Sequence, residues 1–295
     1  MAQIGFVGLG HMGLPMAVRL IQAGFQVVGF DQQSAVMQLF VEQGGIAARH
    51  IQEVANNNLA VITMLQTGEQ VHAVCCGENG LFKVMKKNAI LINCSTIGIE
   101  ATQLMQQEAL THDVSYLDAP VSGGVAAAVG GTLTLMVGGP SELFECAKSI
   151  LSCYGSKLIH TGDVGSGQAA KLCNNMILGA SMIAVSEAFL LAERLGLSLT
   201  KLHEVVQQSS GQCWVTNCYV PLPGILEHVP ANHGYQPGFS AAMMLKDLRL
   251  SQSAASSVGL NTALAATATK MYSDVDTKIG TLDFSAIVMC LSEPS

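Results

Sequence analysis

Lys171 stands at the head of a stretch with no other charged side chain until Glu187, and Asn175 follows it by four residues. In a helix that spacing puts the two on one face. A lysine on an otherwise apolar helix is desolvated, desolvation favours the neutral amine, and a neutral amine can take a proton from an alcohol and return it. The plainer reading of the same residue is a lysine near a helix start that extends to solvent. A second cluster is Asp118-Ala-Pro-Val-Ser-Gly-Gly124. There the Ser122 hydroxyl with the N–H groups of Gly123 and Gly124 makes a small anion nest suited to a carboxylate, although an ordinary turn at a strand end has the same composition.

The third cluster is Gly8-Leu9-Gly10-His11-Met12-Gly13, followed by Asp31. In a strand, turn and helix the first glycine permits the tight turn, the second lets backbone approach a pyrophosphate, and the third packs helix on strand. The helix N-terminus then attracts the phosphates. An acid at the end of the next strand accepts from ribose hydroxyls and repels a 2′-phosphate, and no Lys or Arg occurs from 32 to 48 to reverse that preference. The predicted cofactor is therefore NAD. The competing role for Asp31 is to cap the following turn. Trp214, Tyr219 and Phe239 flank a Pro/Gly-rich loop at 221–238, where they line a pocket or fill a core with equal ease. Cys213, Cys218, His228 and His233 have zinc-ligand chemistry, but their spacing matches no common structural site and prolines interrupt it, so no metal is expected.

These clusters need particular elements to hold them. Short runs at 3–7, 25–30, 59–65 and 89–94 are apolar on both faces and alternate with helical segments, as buried parallel strands do. They predict an α/β chain with an N-terminal doubly wound, Rossmann-type parallel sheet. After a glycine hinge at 162–167 the pattern is helical: a long helix over 168–195, then 200–209, 241–257, 262–272 and 284–291. The expected division is an NAD-binding domain at 1–162 and an all-helical substrate-binding and oligomerisation domain at 163–295, joined by the long helix. The catalytic cleft is expected at the head of that helix.

Of the 295 residues, 12% are charged and 49% apolar, with net charge −7 and only 14 basic side chains. About 25% charge is usual. So little charge suggests apolar surface buried against another copy, as a homodimer or homotetramer. The basic residues do not cluster beyond Lys86-Lys87, which argues against nucleic acid or an anionic membrane as partner. No stretch is both long and strongly apolar enough to be expected as a span. Nine cysteines without CxxC spacing suit reduced thiols in the cytoplasm.

The motif Asp118–Gly124, Gly131-Thr-Leu with Met136-Val-Gly-Gly139, Gly165-x-Gly167-x-x-x-Lys171-x-x-Asn-Asn175, and Lys246-Asp-Leu248 together resemble the β-hydroxyacid dehydrogenase family. The likeness covers nearly the whole chain. Within the family, Ser209-Ser-Gly-Gln-Cys-Trp214, Tyr219-x-Pro-x-Pro-Gly224 and Tyr235-x-x-Gly-Phe239 are most similar to the 3-hydroxyisobutyrate dehydrogenases. Three departures are Arg19 for a usual Asn, Ala127 for a usual Gly, and Ala231-Asn-His-Gly234 for a usual Ala-Ser-Arg-Asp. The resemblance implies Lys171 as the catalytic acid/base and Asn175 as the substrate-binding Asn. It implies Ser122, Gly123 and Gly124 as carboxylate binders, with Trp214, Tyr219, Phe239 and Asp247 in the substrate region. Cofactor contacts fall on the glycine loop, Asp31, Met64, Leu65, Thr96 and Lys246. The expected reaction is NAD-dependent oxidation of 3-hydroxyisobutyrate to methylmalonate semialdehyde, as in valine catabolism. The alternatives are L-serine or another small 3-hydroxy acid, tartronate semialdehyde reduction, an imine reductase, and a non-catalytic dinucleotide-binding module.

Overall fold

A computed structural model describes residues 2–56 and 58–292. The chain folds into two compact units, Met1–Lys171 and Leu172–Ser295. The first alternates strand and helix: β1 (Gln3–Val7), α1 (Gly13–Gln22), β2 (Gln26–Phe30), α2 (Ser34–Glu42), β3 (Ile46–Ala47), β4 (Ala60–Thr63), α3 (Gly68–Cys76), β5 (Ile90–Asn93), α4 (Ile99–Thr111) and β6 (Ser115–Asp118). It continues through β7 (Val121–Ser122), α5 (Gly124–Gly130), β8 (Leu133–Gly138), α6 (Ser141–Leu151) and β9 (Gly155–Gly162).

All the strands join one sheet in the order β3-β2-β1-β4-β5-β6-β8-β7, with β9 pairing β8. It is parallel from β3 to β6, antiparallel where β8 meets β6 and β7, and parallel again between β8 and β9. Alternate strand residues serve opposite faces. Ile4 and Phe6, Ala60 and Ile62, Ile92 and Leu117 enter one core, and Val7, Val61, Leu91 and Tyr116 the other. Burial on both sides is why the central strands carry unbroken apolar runs. Beyond the four strands expected from apolar runs, β3 and β6 to β9 complete the sheet. The signal is weakest for β3 and β7, which have two residues each, and for β9, which is largely exposed from Ser156 to His160.

α7 (Ser166–Arg194) starts in the first unit and runs through the second, about 43 Å at 1.5 Å per residue. The second unit adds α8 (Leu199–Gln207), α9 (Trp214–Cys218), α10 (Ala241–Ser257), α11 (Ala263–Ile279) and α12 (Ile287–Leu291). Its core combines Met182, Ile183, Val185 and Phe189 of α7 with Met244 and Leu248 of α10 and Tyr272 of α11. Among its described residues the sole β pairing is an isolated bridge between Ser240 and Asp283. α11 continues past Tyr272 to Ile279, because Ile279 packs into that core. Among the described helices, α7 alone is long and apolar enough to cross a membrane by length and composition; Met182, Ile183, Val185 and Phe189 bury part of that apolarity in the core, while Ile177 and Leu191 are exposed.

Candidate functional site

The glycine loop joins β1 to α1. Gly8 has φ +91°, and a Cβ there would lie 2.3 Å from the Met64 carbonyl oxygen and 2.9 Å from Leu65 Cδ2. A Cβ on Gly13 would lie 1.9 Å from the Gly8 carbonyl oxygen, so the first turn of α1 closes directly on the strand. Beside Gly10 the space is open. No side chain caps the N-terminus of α1. Leu14 N and Met16 N donate to the Gly10 and Met12 carbonyls and Pro15 has no N–H, so what α1 offers an anion is the positive end of its dipole beside the glycine loop. Asp31 accepts from Leu9 N at 2.8 Å through Oδ2 and from Gln33 N at 2.9 Å through Oδ1. The capping role expected of this acid is present, and the same carboxylate also ties the end of β2 to the glycine loop through Leu9 N. His11 is exposed and Met12 half-buried at the mouth of the loop. An open approach at Gly10, a helix start with no side-chain cap and an adjoining acid fit the diphosphate and ribose of a dinucleotide.

A buried polar network fixes the neighbouring loops. Asn93, at the end of β5, accepts through Oδ1 from Thr63 Oγ1 and Ser95 N, each at 3.0 Å, and donates to Tyr116 Oη at 3.0 Å. Ser95 Oγ accepts from Leu65 N at 2.9 Å. Gln168, fully buried, accepts from Ile97 N at 3.1 Å and donates to the Ser95 carbonyl at 2.8 Å. Thr96 sits between those two anchors. Asp118, buried at the end of β6, accepts from Gly165 N at 2.8 Å and Gln168 N at 2.9 Å, and so caps α7. Burial pushes its carboxyl above the ordinary value, against the pull of those backbone donors. Ser122 and Gly123 follow at the end of β7, and Gly124 opens α5. Lys171 lies on α7 with 8% exposure. It is a buried lysine and does not extend to solvent from the helix start.

In the second unit, Asn175 Nδ2 donates to Asp247 Oδ2 at 2.6 Å, and Lys246 Nζ lies 3.2 Å from Asp247 Oδ1. Asn175 and Asp247 are both buried. Trp214 stacks on Tyr219 with centroids 5.0 Å apart, Tyr219 stacks on Phe284 at 5.4 Å, and Phe239 meets Phe284 edge-on at 5.8 Å. The three expected aromatics thus form one cluster, with Phe284 at its base and Trp214 half exposed. Asp283 holds the cluster in place. It accepts from Tyr219 Oη at 2.9 Å, from the amides of Gly238 and Phe239 at 3.1 and 3.2 Å, and from Ser285 N and Oγ.

Asp118, Gln168 and Asp283 were absent from the residues expected at the site. The available signal for Asp283 was an acid placed just before the helical run at 284–291. Arg19 braces the Gly131 turn and donates Nε to the Cys153 carbonyl at 3.3 Å, which gives this departure a structural role. Among the described residues no three His, Cys, Asp or Glu side chains converge as metal ligands.

Residues 3–162 match the family model for the NAD-binding domain of 6-phosphogluconate dehydrogenase. Residues 165–291 match the model described as NAD-binding of NADP-dependent 3-hydroxyisobutyrate dehydrogenase. The 3-hydroxyisobutyrate dehydrogenase of Pseudomonas aeruginosa is 41% identical over 97% of each chain. The chain belongs to the 3-hydroxyisobutyrate dehydrogenase family. The probable mitochondrial 3-hydroxyisobutyrate dehydrogenase of Dictyostelium discoideum is also 41% identical, over 96% of this chain and 89% of its own. Among solved structures, Mycobacterium tuberculosis 3-hydroxyisobutyrate dehydrogenase with L-serine superposes at TM-score 0.93, with 38% identity over 99% of this chain and all of that one. An imine reductase from Pseudomonas sp., at 16% identity and TM-score 0.60, shares the fold alone. As a member of the 3-hydroxyisobutyrate dehydrogenase family the chain is an NAD-dependent oxidoreductase acting on CH–OH groups.

Proposed function

We propose that the chain oxidises 3-hydroxyisobutyrate to methylmalonate semialdehyde with NAD, and that Lys171 is its general acid/base. The observation that carries the reading is the burial of a lysine on an apolar helix. A lysine amine withdrawn from bulk water can take a proton from a substrate alcohol and return it. Lys171 Nζ takes the hydroxyl proton during oxidation and returns it during reduction. Bound NAD supplies the hydride acceptor. Ser122 Oγ with the amides of Gly123 and Gly124 holds the substrate carboxylate. Asn175, its Nδ2 oriented by Asp247, offers its remaining N–H to substrate. The chain's contribution is orientation and proton movement, worth far more when reactants are held in near-attack geometry.

Residues 1–162 serve as the NAD-binding domain, and 163–295 as the substrate-binding and oligomerising domain of a cytoplasmic homodimer or homotetramer. Exposed Leu191, Leu195 and Leu264 are apolar surface of the kind a second copy covers. NAD is favoured over NADP by Asp31 and by the absence of Lys or Arg from 32 to 48. A second substrate reading is L-serine, favoured by the L-serine in the similar Mycobacterium tuberculosis structure. Following NADH absorbance with 3-hydroxyisobutyrate, L-serine, 3-hydroxypropionate and D-glycerate, each with NAD and with NADP, tests the reading. The expected result is the highest kcat/KM for 3-hydroxyisobutyrate with NAD. No turnover of any of these acids removes the proposed function.

A further inference from the structure

Gln168 belongs to α7 by its backbone and to the Ser95–Ile97 loop by its side chain. Its amide oxygen accepts from Ile97 N at 3.1 Å and its amide nitrogen donates to the Ser95 carbonyl at 2.8 Å, so it bridges the peptide groups on either side of Thr96. Its backbone N–H is held in turn by Asp118. The helix start has no room to slide, because a Cβ on Gly167 would lie 2.4 Å from the Met136 carbonyl oxygen and 2.7 Å from Asp118 Oδ2. Lys171 follows three residues later, close to one turn along the same helix.

We propose that Gln168 is a positioning residue that sets the distance between the Thr96 loop and the Lys171 ammonium group. The proposal rests on the reading above, in which the Thr96 loop touches cofactor and Lys171 moves the substrate proton. Gln168 touches neither reacting atom. Its contribution is to join the two through one rigid amide, and positional errors of about 1 Å in such arrangements cost on the order of 100-fold in rate. The bridge needs one donor and one acceptor at this reach. Leucine supplies neither. A glutamate carboxylate supplies only acceptors and faces the Ser95 carbonyl with a lone pair, while a protonated glutamic acid supplies both and mimics glutamine.

Gln168→Leu and Gln168→Glu are compared with wild type from pH 5.5 to 8.5. The readouts are kcat at saturating hydroxy acid and NAD, and NADH affinity by fluorescence. The charged groups facing Gln168 are Asp118, at its backbone, and Lys171 along the helix, and dividing each variant by wild type at the same pH cancels their titration. The expected kcat for Gln168→Leu is about 10-fold to 100-fold below wild type at every pH. For Gln168→Glu the ratio to wild type, in kcat and in NADH affinity, rises several-fold as pH falls. A kcat for Gln168→Leu within about twofold of wild type overturns the proposal, as does a Gln168→Glu ratio flat across pH in both readouts. If Gln168→Leu does not fold, the Gln168→Glu ratios decide alone. If wild type turns over no hydroxy acid, the proposed reaction fails, and the pH dependence of NADH affinity in Gln168→Glu still decides the role of Gln168.

Discussion

The two units hold their functional residues in different ways. In the first, the loops are located through backbone: Leu9 N on Asp31, Leu65 N on Ser95, Ile97 N and the Ser95 carbonyl on Gln168, Gly165 N and Gln168 N on Asp118. In the second, side chains far apart in sequence also meet each other directly: Asn175 with Asp247, and Tyr219 with Asp283, whose carboxylate takes the amides of Gly238 and Phe239 as well. A backbone-anchored loop presents the same shape whatever its outward side chains are, which suits a cofactor common to many enzymes. Side-chain partnerships can be exchanged one at a time, which suits a substrate that differs between relatives.

If that contrast holds, variants in the second unit separate stability from activity. The largest stability loss is expected from Asp283→Ala, which strips partners from Tyr219 Oη, Ser285 and the amides of Gly238 and Phe239 together. At about 1–3 kcal/mol for each buried group left unpaired, a loss of at least 3 kcal/mol should appear in chemical denaturation. A loss below about 1 kcal/mol means that Asp283 does not hold the aromatic cluster. Asp247→Ala frees Asn175 while leaving the glycine loop untouched, so kcat/KM for hydroxy acid should fall about 10-fold to 100-fold, as for loss of a hydrogen bond involving a charged group. NADH affinity should change less than kcat/KM, and an equal loss in both erases the distinction between the units.

Asp118→Asn gives a smaller effect with a defined sign. Burial raises the Asp118 carboxyl above its ordinary value of 3.8 in the folded chain. A raised folded pKa means the folded state binds the proton more tightly. The stability contributed in this way is fully present below the unfolded pKa and is lost as pH rises through the folded one. The stability difference, wild type minus Asp118→Asn, should therefore shrink as pH rises from about 4 towards neutrality. Thermal melts across that range would show it widening instead if the backbone donors outweighed the desolvation.

The same contrast explains how much was legible in the sequence. Glycine spacing is set by close approaches within one turn, such as Gly13 to the Gly8 carbonyl, so the loop, β1, α1 and Asp31 could be read directly. The doubly wound sheet and the long helix were legible because burial on two faces leaves unbroken apolar runs. Asp283 was not, because its partners on the loop lie between 44 and 64 residues earlier in the chain. Gln168 escaped for a related reason, with its loop partners 71 and 73 residues away. α9 has five residues and is closed by the pairing of Cys213 N with Thr216 Oγ1 at 2.9 Å, too brief for a period to show.

The buried Lys171 is proposed to move the proton while other residues hold the cofactor. Lys171→Ala separates those tasks most directly, with NADH formation from 3-hydroxyisobutyrate and NADH affinity measured on one preparation. With Lys171 in that role, kcat is expected to fall by about 10²- to 10⁴-fold while the NADH Kd stays within about threefold of wild type. Retention of more than roughly a tenth of wild-type turnover contradicts it, because general acid/base catalysis is worth at least an order of magnitude more.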